Sequence, residues 1–221
     1  ADGLGNSAAR LGVRNPGLGR VDGGRTRSVA AVPRCFSGAR SYWPGDQTLG
    51  DDVGVLTIRA TRKLLDRLGP ESSDLDPSTT LLGDWYATAL SWRPHQIALL
   101  MSERTLLPVL LPLAPAATLM TRLPTQLATV LTAHGVPDKL IHEELDRMRA
   151  WQLARTNDRS KLGSLNEFAR LAEHARHDYP EGLTALSMWL ATVPCSPLSQ
   201  RHVSPDQELA ALIQRHHPQG S

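Results

Sequence analysis

A break in composition at Val55 limits what this chain can fold into more than any other feature of its 221 residues. The first 54 residues hold 11 of the 17 glycines and seven arginines, with no lysine, methionine or histidine. Their apolar residues are scattered, and no run is long enough to form a buried face. Such a stretch cannot offset the entropy of ordering itself, so residues 1–54 are expected to be a disordered leader. From Val55 apolar residues recur at strand and helix spacings. Residues 55–213 are expected to form one domain, with 214–221 a disordered tail.

Charge divides at the same place. The chain carries 24 Lys and Arg against 22 Asp and Glu, a formal charge of +2. Seven arginines and five aspartates precede Val55, which leaves 17 basic and 17 acidic residues after it. The excess charge lies in the leader and the domain is neutral. Nucleic-acid binding generally needs a basic footprint, so nucleic acid is not the favoured partner. A protein partner or a second copy of the chain stays open, and no partner is singled out.

The leader does not read as a targeting signal. A transit peptide is poor in acidic residues, whereas this stretch has five aspartates; a secretory signal needs an apolar core, and none is present. The expectation is that residues 1–54 are upstream sequence read in frame. The chain begins at Ala1, and a GTG start codon would appear as Val55 in a conceptual translation. Cys35 and Cys195 are the only cysteines, without ligand spacing for zinc, so no metal and no cofactor are expected. No apolar run reaches the ~18 residues of a membrane span; the richest, Leu106 to Ala117, is broken by Pro108, Pro112 and Pro115. The expectation is a cytoplasmic protein.

Within the domain, Leu56 to Arg59 alternates as a strand and Arg62 to Leu68 can form a short helix closed by Gly69-Pro70. Glu71 to Ser78 reads as a loop. Leu81 to Ser91, Gln96 to Ser102 and Thr105 to Leu111 are three strand candidates joined by short turns, which favours antiparallel hairpins. The first could also be a helix, since Leu82, Tyr86 and Leu90 recur every four residues. Pro115 and Pro124 are each expected to open a helix, the second stopped by Gly135. Pro137 opens another, with Ile141, Leu145 and Met148 as its stripe. A last strand around Trp151 and Leu153 follows. Ser164-Leu165-Asn166-Glu167 fits a capping box, as does Ser204-Pro205-Asp206-Gln207. Between them, Pro180 to Val193 reads as a helix. The fold class is α+β: a small, mainly antiparallel sheet packed against a C-terminal set of helices.

The densest polar segment is Thr156 to Glu167. Free amides at a helix start, with Arg159 and Lys161, could hold a phosphate or carboxylate. A capping box, however, would consume those amides, and Asn157-Asp158 would then only shape a turn. Glu173 and His177 stand four apart on one helix, a spacing metal ligands use, but no partner pair has comparable spacing beyond a loose His142-Glu143-Glu144. Cys195 with His202 could be a nucleophile and base; a thiol held in the Pro194-Cys195-Ser196-Pro197 turn is the plainer reading. Trp85, Trp92 and Trp151 read as core or interface anchors.

Four stretches carry a resemblance: Leu82 to Ala87, Glu103 to Val109, Arg159 to Phe168, and Pro194 to Pro197. In combination they resemble a family of small uncharacterised bacterial proteins, a domain of unknown function, over about Leu56 to Leu212. The third stretch usually reads Asn-Asp before Phe in that family, where this chain has Asn166-Glu167. The resemblance implies domain limits and no activity. It leaves two function classes. One is a non-enzymatic binding or interaction module, supported by the neutral charge and by the exposure expected of Trp85 and Trp92. The other is an enzyme or toxin-like factor acting on a phosphate-bearing substrate. The binding residues proposed on sequence are Asp84, Trp85, Arg159, Ser160, Lys161, Ser164 and Asn166.

Overall fold

The structure, a computed structural model, describes residues 41–42, 54–179 and 182–216. The disorder expected of residues 1–54 and 214–221 otherwise falls outside the described residues. Two exceptions are visible: Ser41–Tyr42 pairs as a strand, and the last helix runs to His216.

The sheet contains β1 (Ser41–Tyr42), β2 (Val55–Ala60), β3 (Trp85–Leu90), β4 (Ile97–Ser102), β5 (Pro108–Pro112) and β6 (Ala150–Arg155), in the order β1-β6-β2-β3-β4-β5. The short connections at Arg93-Pro94-His95 and at Glu103-Arg104-Thr105 make β3-β4 and β4-β5 antiparallel hairpins, as expected. β2 runs parallel to both β3 and β6. Parallel pairs require long crossovers, and the helices supply them: α1 (Arg62–Leu68) lies between β2 and β3, while α2 (Leu119–Ala133) and α3 (Asp138–Asp146) precede β6. α4 (Arg159–Ala175), α5 (Leu183–Thr192) and α6 (Pro205–His216) complete an α+β fold with helices mostly C-terminal.

Every residue of β3 and β4 is buried, so both faces of the sheet are covered. One face, with Ile58, Trp85, Ala87, Leu100 and Val109, packs against α1, α2, α3 and α6. The other, with Tyr86, Leu99, Met101 and Leu110, packs against Leu165 and Phe168 of α4 and Leu186 and Leu190 of α5. α5 also shields the β5 edge, where the Leu110 N–H donates to Ser187 Oγ at 2.9 Å.

Two expectations about helix starts are corrected. Pro124 lies inside α2. The hydrogen bond it forfeits to the preceding turn is offset by Leu119, Met120, Leu123 and Leu127, buried along one continuous face across the proline. α2 does end at Gly135, in a left-handed conformation (φ 72°), with Gly135 N–H donating to the Thr132 carbonyl and Val136 N–H to that of Leu131. That is a Schellman closure. Ser164 is not an N-cap. α4 begins five residues earlier, where Asp158 Oδ1 accepts from the amides of Ser160 (2.8 Å) and Lys161 (3.1 Å). At α6 the device is partly as expected: Gln207 Oε1 accepts from Ser204 N at 3.1 Å, while Ser204 Oγ bonds Asp206 instead of the Gln207 amide.

Candidate functional site

The carboxyl ends of β2 and β6 and the start of α4 bring the chain's polar residues together, in two separate settings. The inner setting begins with strand alternation. Arg59 and Tyr86 face each other in the parallel β2-β3 register, on the face covered by α4. Asp84, two residues before Tyr86, points the same way, and its Oδ2 accepts from Arg59 Nε at 2.6 Å. Its amide donates to Glu103 Oε2 at 3.2 Å, and the Glu103 amide returns to the Asp84 carbonyl at 2.8 Å. Lys161 reaches down from α4 so that Nζ donates to the Glu103 carbonyl. A continuous chain of polar contacts thus joins β2, β3, the β4-β5 turn and α4.

This arrangement tunes its members. Burial works to lower the Arg59 pKa, but the hydrogen bond and charge of Asp84 outweigh it and hold the guanidinium charged. Burial, and then the Glu103 charge, push the Tyr86 phenol up to about 12. Gly83 makes the close approach feasible: its φ is +79°, and a Cβ there would stand 2.9 Å from Glu103 Oε2. Their geometry is that of a clamp between sheet and helix.

Of the residues proposed on sequence, Asp84 and Lys161 therefore meet through Glu103. Trp85 is fully buried against the first helical layer and Trp92 is only 9 % exposed, which agrees with their reading as core anchors and corrects the exposed aromatic surface and the binding role also expected of Trp85. Ser164 is also interior, with its hydroxyl donating to the Ser196 carbonyl. Glu167, expected to reach back to Ser164, accepts from Ser196 N at 3.3 Å. Both tether α4 to the Pro194–Pro197 turn.

Arg159, Ser160 and Asn166 lie outside. On a helix, positions 159, 163, 166 and 170 stack along one stripe, and all four are exposed. Among the described residues neither Arg159 nor Arg170 has a carboxylate within 4 Å. The run from Arg159 to Phe168 thus divides between an inward half, Lys161, Ser164, Leu165 and Phe168, and an outward half, Arg159, Ser160, Gly163 and Asn166.

The other candidates are placed as follows. Cys195 is fully buried, and burial, then the Glu167 charge, push its thiol up to about 12, which removes the thiolate a nucleophile needs. Glu173 pairs with Arg176 at 3.4 Å, and His177 Nε2 accepts from Arg176 Nε at 3.0 Å. Among the described residues no group of three or more His, Cys, Asp or Glu side chains could hold a metal ion. No described helix is long and apolar enough to cross a membrane.

Sequence reasoning missed Glu103, Arg59 and Glu144. Glu144 sits on the inward face of α3, where its carboxylate accepts from the amides of Leu81 (2.5 Å) and Leu82 (3.1 Å) and so pins the approach to Gly83-Asp84. The signal for Glu144 was its place between Ile141 and Met148 on the buried stripe, where a carboxylate must find donors.

Residues 57–208 match the family described as Domain of unknown function (DUF6933). The chain belongs to that family. The DUF6933 match extends from β2 into α6 and takes in both the inner clamp and the outward stripe. No curated protein and no solved structure matches the chain.

Proposed function

We propose that the chain is a non-enzymatic binding module that takes a small phosphate-bearing ligand, such as a nucleotide, on the outward stripe of α4. The observation that carries this reading is a pair of departures from local helix preference on one exposed face. Gly163 stands mid-helix with nothing within 4 Å of where a Cβ would be, although glycine there costs about 0.5–1 kcal/mol relative to alanine. Arg159 places a cation in the first turn, against the helix dipole, where about 0.3–1 kcal/mol favours an anion instead. Departures from local preference without a folding reason concentrate at functional sites.

The chemistry of the stripe supports the same ligand. Arg159 and Arg170 are guanidiniums free to fork onto phosphate oxygens, Asn166 and Ser160 add neutral hydrogen-bonding groups, and Gly163 lets a ligand approach the helix backbone. Asp158 already occupies the Ser160 and Lys161 amides, so recognition rests on side chains rather than on the helix end.

Thermal-shift measurements with ATP, GTP, a short single-stranded RNA and sulfate test the reading. A ligand at about one hundred times its Kd stabilises by about 2.7 kcal/mol, or several degrees in Tm for a domain of this size. Arg159→Ala and Arg170→Ala should abolish the shift. Gly163→Ala should raise the Tm of the free protein and shrink the shift, separating stability from binding. Absence of any shift, or a shift unchanged in Arg159→Ala, would sink the proposal.

A further inference from the structure

A further candidate lies on the α1 side of the same sheet end. β2 and β6 are adjacent and parallel, and Ala60 pairs with Arg155, so their carboxyl ends are level. From there the chain departs in opposite directions. α1 buries Leu64 and Leu65 in the first layer, whereas α4 buries Leu165 and Phe168 in the second. Neighbouring parallel strands whose connections leave to opposite faces open a crevice outside their carboxyl ends, and open sheets with parallel strands bind ligands there.

On the α1 side of these strand ends lies a cleft of about 410 Å³, lined by Arg62, Asp66, Gly69, Glu71 and Arg155 among others. Its volume is in the ~300–1,000 Å³ range of small-molecule sites. The charges on its walls balance, two guanidiniums against two carboxylates. Among the described residues none of the four forms an ion pair within 4 Å. Glu71 makes one internal contact, with Oε2 accepting from the Arg155 amide at 3.2 Å, which fixes the loop against the strand end. Opposite charges that line one cleft without reaching each other suit a ligand that carries both signs.

We infer that this cleft binds a small zwitterion, a free amino acid or short peptide, with its carboxylate on Arg62 and Arg155 and its ammonium on Asp66 and Glu71. A guanidinium offers a carboxylate two parallel hydrogen bonds, and each carboxylate of the cleft can accept from an ammonium. A singly charged anion would satisfy only half of the walls. This site shares no residue with the α4 stripe, so either can fail without the other.

The test is amide NMR of the full chain titrated with individual amino acids and glycylglycine, each compared with its N-acetyl and its carboxamide derivative. The expected result is a saturable shift of the Arg62, Gly69, Glu71 and Arg155 amides by at least one zwitterion, weakened about tenfold or more, about 1.4 kcal/mol, when either charge of the ligand is blocked. Arg62→Ala and Arg155→Ala, both exposed positions that should leave the fold intact, should weaken it likewise. No saturable shift at millimolar concentrations, or an equal shift with the blocked derivatives, would overturn the inference. So would an equal shift in the two variants with an unchanged Tm.

Discussion

Glu144 is only 2 % exposed, and replacing it measures how firmly the α3 carboxylate holds the loop that presents Asp84. Each of its oxygens serves one amide, Oε2 that of Leu81 and Oε1 that of Leu82. Glu144→Gln keeps the shape but supplies a single carbonyl oxygen, so one buried N–H faces an amide NH₂. A buried donor left without an acceptor costs about 1–3 kcal/mol. Glu144→Ala strands both amides and leaves a small void, at about 2–5 kcal/mol.

The pH dependence sharpens the test. Burial raises the Glu144 pKa, and the hydrogen bonds from Leu81 and Leu82 only partly oppose it. A folded pKa above the unfolded value of about 4.3 means that the folded state holds this proton more tightly. Its contribution is full below the unfolded pKa and is lost as pH rises through the folded pKa, at up to about 1.36 kcal/mol per unit of displacement. The glutamine variant has no such loss. Urea unfolding of both proteins across that window should therefore show wild-type stability falling relative to that of the glutamine variant as pH rises. Parallel curves, or an alanine variant no less stable than the glutamine one, would refute the reasoning.

Other outcomes follow from the same geometry. Gly83→Ala forces a side chain into φ +79° and against Glu103, and should cost about 1–3 kcal/mol in urea unfolding. Phe168→Ala removes a fully buried ring between α4 and the sheet, and should cost about 3–5 kcal/mol by the same measurement. Cys195 should resist alkylation in the native state and react on denaturation, read by mass spectrometry of its own peptide; rapid native labelling would contradict its burial. A double-mutant cycle on Arg59→Ala and Asp84→Ala should return a coupling of about 1 kcal/mol or more, whereas additivity would show that the 2.6 Å contact does not matter in solution.

The candidate site was half legible. Arg159, Ser160, Lys161, Ser164 and Asn166 stood out because a dense polar run interrupts apolar periodicity, but sequence could not sort them. Asp158 and Ser164 both satisfy local rules for starting a helix. The choice fell to Asp158 because the two turns that follow it are anchored from outside, by Lys161 on the Glu103 carbonyl and Ser164 on that of Ser196. Those partners are 58 and 32 residues distant, beyond any local pattern. The same holds for Glu144, whose burial depends on the loop at Leu81-Leu82.

By itself the sequence determined the strand that begins at Val55, the hairpins that follow it, and the stops at Gly69, Gly135 and Pro194. These follow from short-range periodicity and backbone sterics, which act over a few residues. Only the tertiary structure decided that β6 lies beside β2 in parallel, that Glu144 is buried under the Leu81-Leu82 loop, and that one motif divides into an inner clamp and an outer stripe. Those outcomes depend on which faces meet across nearly a hundred residues of chain, from Val55 to Ala150, and burial, rather than local preference, selects among them.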